Sequence, residues 1–549
     1  MATTPRHSVR SAVPQKKYRT PVEMNDWPNR DVSAVPSWAP PTPTMQGTRA
    51  WTGRAPSTIR ASDSFDASDS AANIVSVDPV DERHFFDSFD GWPAEPPTES
   101  IAVTSDPVTQ QIPLVPAEPT ETSVPASTAS GPPTEQMRFT IPEPSPDDDL
   151  PPRHWIRTLL VFGIAAVVYG VSAWRLGHTK TPTMAYWDQL ADSFRHGRLF
   201  LAHPSGTQDL TRHDGRWYVP FGPLPGLLLV PWALIAAVVT INTVAFSVLL
   251  GAINVALVDA LLHTMRRRGV ALLSDTSIVA LTLLWAVGSV HWYMSVAGTV
   301  WFISQIATAT FMLLSLWSAA AGRRLLAGVA LGLAALGRPT ALLALPAVVA
   351  LAAVANPHPA GRRRWPQALS MITVPAALVA AGWLWYNRAR FGSSTAFGYT
   401  TQNVARELAS DLLTHGQFNA RYLPRNLWAM LAAGPVKDPS SWTLKPDAQG
   451  MSMLLTTPAW VFALFADLRQ RLTRWSWLAV VLLIVPIAFS YNTGSDQFGY
   501  RFALDFMPVL MVLLALGLDR YQNHFGRVLP KVLIAIGIAV NLWGLVWFT

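Results

Sequence analysis

Thr243-Val244-Ala245-Phe246-Ser247-Val248-Leu249-Leu250-Gly251-Ala252-Ile253-Asn254-Val255-Ala256-Leu257-Val258-Asp259-Ala260-Leu261-Leu262-His263-Thr264 is an apolar run closed by Met265-Arg266-Arg267-Arg268. Its length suits the ~20 residues an α-helix needs to cross a bilayer. The triple arginine marks the end expected on the cytoplasmic side, where short loops collect Lys and Arg. Similar runs lie outward from it at 155–175, 275–295, 299–321, 324–337, 340–355, 367–387, 451–467, 476–492, 501–518 and 531–548. Together they predict an all-α polytopic membrane protein with about eleven transmembrane helices.

Charge tests that topology. With the N-terminus cytoplasmic, Arg153 and Arg157, Arg323-Arg324, Arg362-Arg363-Arg364, Arg469/Arg471/Arg474 and Arg520/Arg527/Lys531 all join the triple arginine inside. The agreement requires that 221–240, opening with Phe221-Gly222-Pro223-Leu224-Pro225-Gly226, does not cross. It is expected to be a re-entrant juxtamembrane helix whose prolines allow the break. The short pair 324–337 and 340–355, parted by Gly337-Arg338-Pro339, reads as a helical hairpin with its tip outside. Two long outer loops result, 176–242 and 388–450, and long loops are exempt from the charge rule.

The rest of the chain differs in kind. Residues 1–152 hold 21 acidic against 11 basic residues and 25 of the 45 prolines, whereas 153–549 hold 14 acidic against 31 basic. A segment rich in Pro, Ser, Thr and Asp with few aliphatic clusters buries too little apolar surface to offset the entropy of ordering. A long disordered cytoplasmic tail is expected there, with no apolar region near its start to act as a cleavable signal. Arg6, Arg10, Lys16, Lys17 and Arg19 suit an anionic leaflet. The chain has no Cys, which excludes disulfides, thiolate nucleophiles and Cys zinc sites. The sequence pI near 9.7 does not point to nucleic acid, because the positive charge sits in short clusters between apolar runs.

Chemistry is expected in the outer loops. In the first, Asp188 and Asp192 lie four apart on the amphipathic stretch Tyr186-Trp187-Asp188-Gln189-Leu190-Ala191-Asp192-Ser193-Phe194, and Asp209 and Asp214 flank Leu210-Thr211-Arg212-His213. A carboxylate held at the membrane surface beside aromatic residues can serve as general base on an acceptor, and arginine can bind the phosphate of a lipid-linked donor. Arg501 and Asp505 are four apart at the outer end of a run, where one helix face would pair them. Alternatively Arg501 contacts phosphate, and Arg338 has similar standing. His203, Asp209, His213 and Asp214 form a candidate divalent-cation set. Trp285, Trp292, Trp301, Trp383 and Trp385 read as interface anchors or packing residues, and outward Trp217 suits sugar stacking.

Leu190-Ala191-Asp192-Ser193-Phe194-Arg195-His196-Gly197-Arg198-Leu199, Gly215-Arg216-Trp217-Tyr218-Val219-Pro220-Phe221-Gly222-Pro223-Leu224-Pro225, Gly337-Arg338-Pro339-Thr340, Trp385-Tyr386-Asn387-Arg388-Ala389-Arg390-Phe391-Gly392-Ser393 and Gly499-Tyr500-Arg501-Phe502-Ala503-Leu504-Asp505-Phe506-Met507-Pro508 together resemble the GT-C class of polytopic glycosyltransferases. That class includes the dolichyl-phosphate-mannose protein mannosyltransferases and the lipid A aminoarabinose transferases. The resemblance covers most of 153–549. It implies a plasma-membrane enzyme that moves a sugar from a polyprenyl-phosphate donor to an extracytoplasmic glycan, lipid or protein acceptor. Arg338, Arg388 and Arg501 are then the donor-phosphate contacts. Members commonly carry an acidic pair before the amphipathic helix of the first loop, where this chain has Thr181-Pro182-Thr183-Met184. The resemblance therefore leaves the base to Asp209 first and Asp188 second. A transporter or flippase of lipid-linked precursors, and a non-catalytic scaffold, stay as alternatives. The transporter is disfavoured by the lack of an evident internal repeat.

Overall fold

The structure, a computed structural model, describes residues 153–235, 241–355, 364–439 and 443–548. The tail 1–152, the end of the re-entrant stretch at 236–240 and the cluster Arg362-Arg363 lie outside the described residues. What is described is built almost wholly of helices: α1 Arg153–Arg175, α2 Trp187–Arg195, α3 Leu224–Ile235, α4 Thr243–Arg267, α5 Asp275–Val287, α6 His291–Ala297, α7 Val300–Ala320 and α8 Arg324–Gly337. They continue with α9 Leu345–Ala355, α10 Arg364–Phe391, α11 Arg406–His415, α12 Leu423–Leu431, α13 Met453–Thr456, α14 Arg471–Ala488, α15 Met507–Phe525 and α16 Val528–Trp547. Small antiparallel hairpins, β1 Thr211–His213 with β2 Arg216–Tyr218 and β3 Val436–Lys437 with β4 Leu444–Lys445, sit in the loops.

Six of the described helices, α1, α4, α7, α10, α14 and α16, are long and apolar enough to cross a membrane, or seven if α5 and α6 are one span bent by 44°. This is the architecture of a multi-pass membrane protein. The expected count of eleven is not reproduced as eleven uninterrupted helices, for local reasons. The run 275–295 breaks at Gly288–Val290, between α5 and α6. The run 451–467 is a single α-turn followed by a 3-10 stretch, Pro458–Phe465, opened by a proline. Helix α3 has 12 residues, a rise of about 18 Å that falls short of the ~30 Å hydrocarbon core. It contains Pro231.

Helices pack through small residues. A side chain at Gly328 or Gly332 of α8 would run into the backbone of α10 at Ile372 and Ala376, so these glycines permit the close crossing of the two. Helix α1 turns Ala165, Tyr169 and Ala173 inward, against α4 and the α6 region, and leaves Trp155, Leu159, Ile164, Val167 and Trp174 exposed. An apolar exposed stripe of that kind is suited to lipid. Residues 507–518 of α15 are all buried, which places that helix at the centre of the bundle. Asn242 fixes the start of α4 by accepting hydrogen bonds from the amides of Val244 and Ala245.

Candidate functional site

The first outer loop is tied to the start of α7. The Val300 amide donates to the Met184 carbonyl at 3.0 Å, and the Trp187 indole donates to the Val300 carbonyl at 3.0 Å. Between these anchors the chain turns at Asp209, whose φ of 59° lies in the left-handed region. Asp occupies that region more readily than most residues, at some cost in strain.

Contacts from distant segments hold Asp209 there. Its amide donates to the Asn403 carbonyl at 2.8 Å, and the Asn403 amide donates back to the Leu210 carbonyl at 2.9 Å. The Gln402 amide side chain donates to the Asp209 carbonyl oxygen at 3.3 Å and to its Oδ1 at 3.2 Å. The Trp301 indole donates to Oδ2 at 3.0 Å. Both carboxylate oxygens are thus fixed, one from the second outer loop and one from α7. Burial pushes the Asp209 pKa above the ordinary carboxylate value, against the opposing pull of the Arg501 charge and of the hydrogen bonds from Trp301 and Gln402.

Two arginines join this carboxylate around one cavity of about 270 Å³. Arg501 opens a 3-10 turn, Arg501–Asp505, directly before α15. Its side chain is buried at 4% exposure, with the guanidinium 5.5 Å from the Trp301 ring and 5.0 Å from the Phe502 ring. Among the described residues no carboxylate comes within 4.0 Å of it, and its Nε is buried without a hydrogen-bond partner. Arg338 ends α8. The following Pro339 keeps it extended, at φ −142° and ψ 119°, so its side chain leaves the helix line. Its Nε lies 3.0 Å from Oδ2 of Asp505.

Helix α7 serves both halves of the site. Trp301 and Gln305 stand one turn apart on the same face. Trp301 reaches Asp209, while the Gln305 amide donates to Asp505 Oδ1 and to the Arg501 carbonyl, each at 3.1 Å. Phe221 of the Pro-rich stretch, Tyr399 and Gln402 of the second loop, Phe418, and Tyr491 close the rest of the cavity.

Of the residues singled out from sequence, Asp209, Arg338 and Arg501 line this cavity, and Asp188 and Arg388 do not. Asp188 sits near the start of α2 with Oδ1 buried and unpartnered, and burial raises its pKa, opposed by the amides of Gln189 and of Asp188 itself. Arg388 is exposed on α10. The expected Arg501–Asp505 pair is replaced by Arg338–Asp505. Residues 501–505 form a 3-10 turn of about three residues per turn, so positions four apart diverge. The candidate cation set does not converge either. His213 and Asp214 pair at 3.4 Å on the exposed hairpin, and among the described residues no group of three or more His, Asp or Glu is placed to hold a metal ion. Trp217 stacks under Arg212 at 5.7 Å and does not line the cavity. Trp301, expected as a packing or interface residue, is instead a hydrogen-bond donor to the candidate base.

No family model matches the chain, and no curated protein matches it. Among solved structures it is similar to the crystal structure of the Archaeoglobus fulgidus oligosaccharyltransferase in the apo form, with 14% identity over 70% of this chain and 56% of that chain and a TM-score of 0.36. The chain therefore spans little more than half the length of that protein. A likeness that loose does not assign an activity, and function has to be read from the cavity.

Proposed function

We propose that the chain is a membrane glycosyltransferase that takes a sugar from a polyprenyl-phosphate donor and passes it to an extracytoplasmic acceptor. The observation that carries this reading is the meeting, in one cavity, of a doubly hydrogen-bonded buried carboxylate with a buried arginine that has no carboxylate partner. A buried cation without a counter-charge is costly unless a ligand supplies one. The phosphate of the donor is the anion it suits.

In the reaction, the acceptor oxygen gives its proton to Asp209 and attacks the anomeric carbon. The bond from that carbon to the phosphate oxygen breaks, and the polyprenyl phosphate leaves with the electron pair. Arg501 stabilises the growing charge on the leaving oxygen, and Arg338 adds its free Nη groups. A single displacement inverts the anomeric centre. Phe221 gives the Pro-rich stretch a place at the cavity wall, which supports lipid access from that side. The remaining expectations belong to the same proposal: the plasma membrane as location, the N-terminus inside, eleven crossings, and 1–152 as a cytoplasmic tail.

Sugar transfer in proteoliposomes, supplied with a panel of polyprenyl-phosphate sugars, tests it. Asp209→Asn is expected to lower the rate by about 10²–10⁴, the usual worth of a general base, in a protein that still folds. Undiminished transfer by this variant overturns the assignment of the base. Passage of an intact lipid-linked sugar across the bilayer without a transfer product overturns the enzyme reading in favour of a transporter.

A further inference from the structure

We propose that Asp505 sets the charge of the donor site, so that it accepts a sugar on a singly charged phosphodiester and rejects the same sugar on a diphosphate. The inference rests on the donor-phosphate reading above and names the residue that narrows it.

The cavity contains two guanidinium groups, which by number alone suit two phosphate charges. They are not equivalent. Arg338 is matched by Asp505, Nε to Oδ2, at 3.0 Å. Asp505 is not free to leave that pair. It is buried at 4% exposure, and Gln305 holds its other oxygen at 3.1 Å from the floor of the cavity, while also holding the Arg501 carbonyl. Withdrawing Arg338 would strand a buried carboxylate, which is strongly unfavourable. The Nη groups of Arg338 can still donate to a phosphate oxygen, but its charge is already spoken for.

That leaves Arg501 as the cation without a partner inside the cavity, facing the carboxylate of Asp209 across the Trp301 ring. A phosphodiester brings one charge to this cation. A diphosphate brings a second that meets only carboxylates, Asp209 and Asp505, in a cavity walled by Phe221, Phe418 and Phe502. The second charge is therefore penalised where the first is not.

The test uses matched lipids, farnesyl-phosphoryl and farnesyl-diphosphoryl derivatives of mannose, glucose and arabinose, titrated against the full chain in detergent micelles. The intact protein should bind the monophosphate form of at least one sugar more tightly than its diphosphate partner. Asp505→Asn frees the Arg338 charge and should move the ratio of the two Kd values toward the diphosphate by on the order of tenfold, the effect of one unit charge several Å away at an effective dielectric of about 20. The double change Asp505→Asn with Arg338→Gln restores neutrality and should bring the ratio back. This return separates a charge effect from damage to the fold, and melting temperature in the same micelles identifies a variant that has lost structure. An unchanged ratio in a folded Asp505→Asn protein, or a double variant that keeps the altered ratio, overturns the inference while leaving the donor reading intact. Failure of the intact protein to bind any of the lipids overturns both.

Discussion

Two clusters of arginine and aspartate lie near opposite ends of α4, and they are built on opposite principles. At its last turns, Asp259 is 2.9 Å from Arg157 of α1 and 3.7 Å from His263, and Arg266 pairs with Asp275 at 2.7 Å. Every carboxylate there has an arginine within reach. Beyond the first turn of α4, where Thr243 bonds to the Gly298 carbonyl just before α7, the cluster of Asp209, Arg338, Arg501 and Asp505 surrounds a cavity and leaves Arg501 unmatched. The same residue types thus make a closed brace in one place and an open anion site in the other. What separates them is an unpaired buried cation beside empty volume, not the number of charges.

The difference breaks if the wrong cluster controls transfer. Arg501→Gln is expected to lower kcat/KM for the donor by about 10²–10³, as for loss of one preorganised donor to a developing oxyanion. It should leave melting unchanged or raise it, because it removes a buried charge that no carboxylate offsets. Arg157→Gln should do the reverse. It strands Asp259, which is almost fully buried, and costs about 3 kcal/mol of stability, discounted for the partial exposure of Arg157. In the protein that stays folded, KM for the donor should be unaltered. Initial rates in proteoliposomes and melting in detergent, taken together on both variants, decide. A stable Arg157→Gln protein with a large loss in kcat/KM would dissolve the distinction.

How far the sequence shows the contrast follows from the range of the interactions. Apolar runs and arginine clusters are local, so the long helices were legible at α1, α4, α7 and α16. The breaks at Gly288–Val290 and at Pro458–Phe465 depend on packing, and run length does not report them. In the site, Asp209, Arg338 and Arg501 were legible because ionisable residues are scarce at an apolar surface. Gln402 was not, since its role arises from a contact 193 residues from Asp209. Trp301 looks like any of the other tryptophans until the loop folds over it. The mispairing of Asp505 had a local remedy. Pro508 favours the first turn of a helix, so a start of α15 near Met507 would have left 501–505 outside it.

A smaller effect sharpens the comparison from within the open cluster. Transfer requires the Asp209 carboxylate, so the rate should rise with pH through a pKa lying above the ordinary aspartate range. Trp301→Phe keeps most of the ring and removes the N–H that favours the ionised form, so the acid limb of kcat/KM should move to still higher pH. Gln402→Leu should move it the same way, and the alkaline plateau should fall less than in Asp209→Asn. Stability gives an independent check. A carboxyl whose folded pKa exceeds its unfolded value favours the folded state when protonated, and that contribution is lost as pH rises through the folded pKa. Melting of the intact protein should therefore decline through the same window in which activity appears, and Asp209→Asn should remove that part of the decline. A limb that moves to lower pH in Trp301→Phe would mean that the indole acts on Asp209 through packing and not through its hydrogen bond.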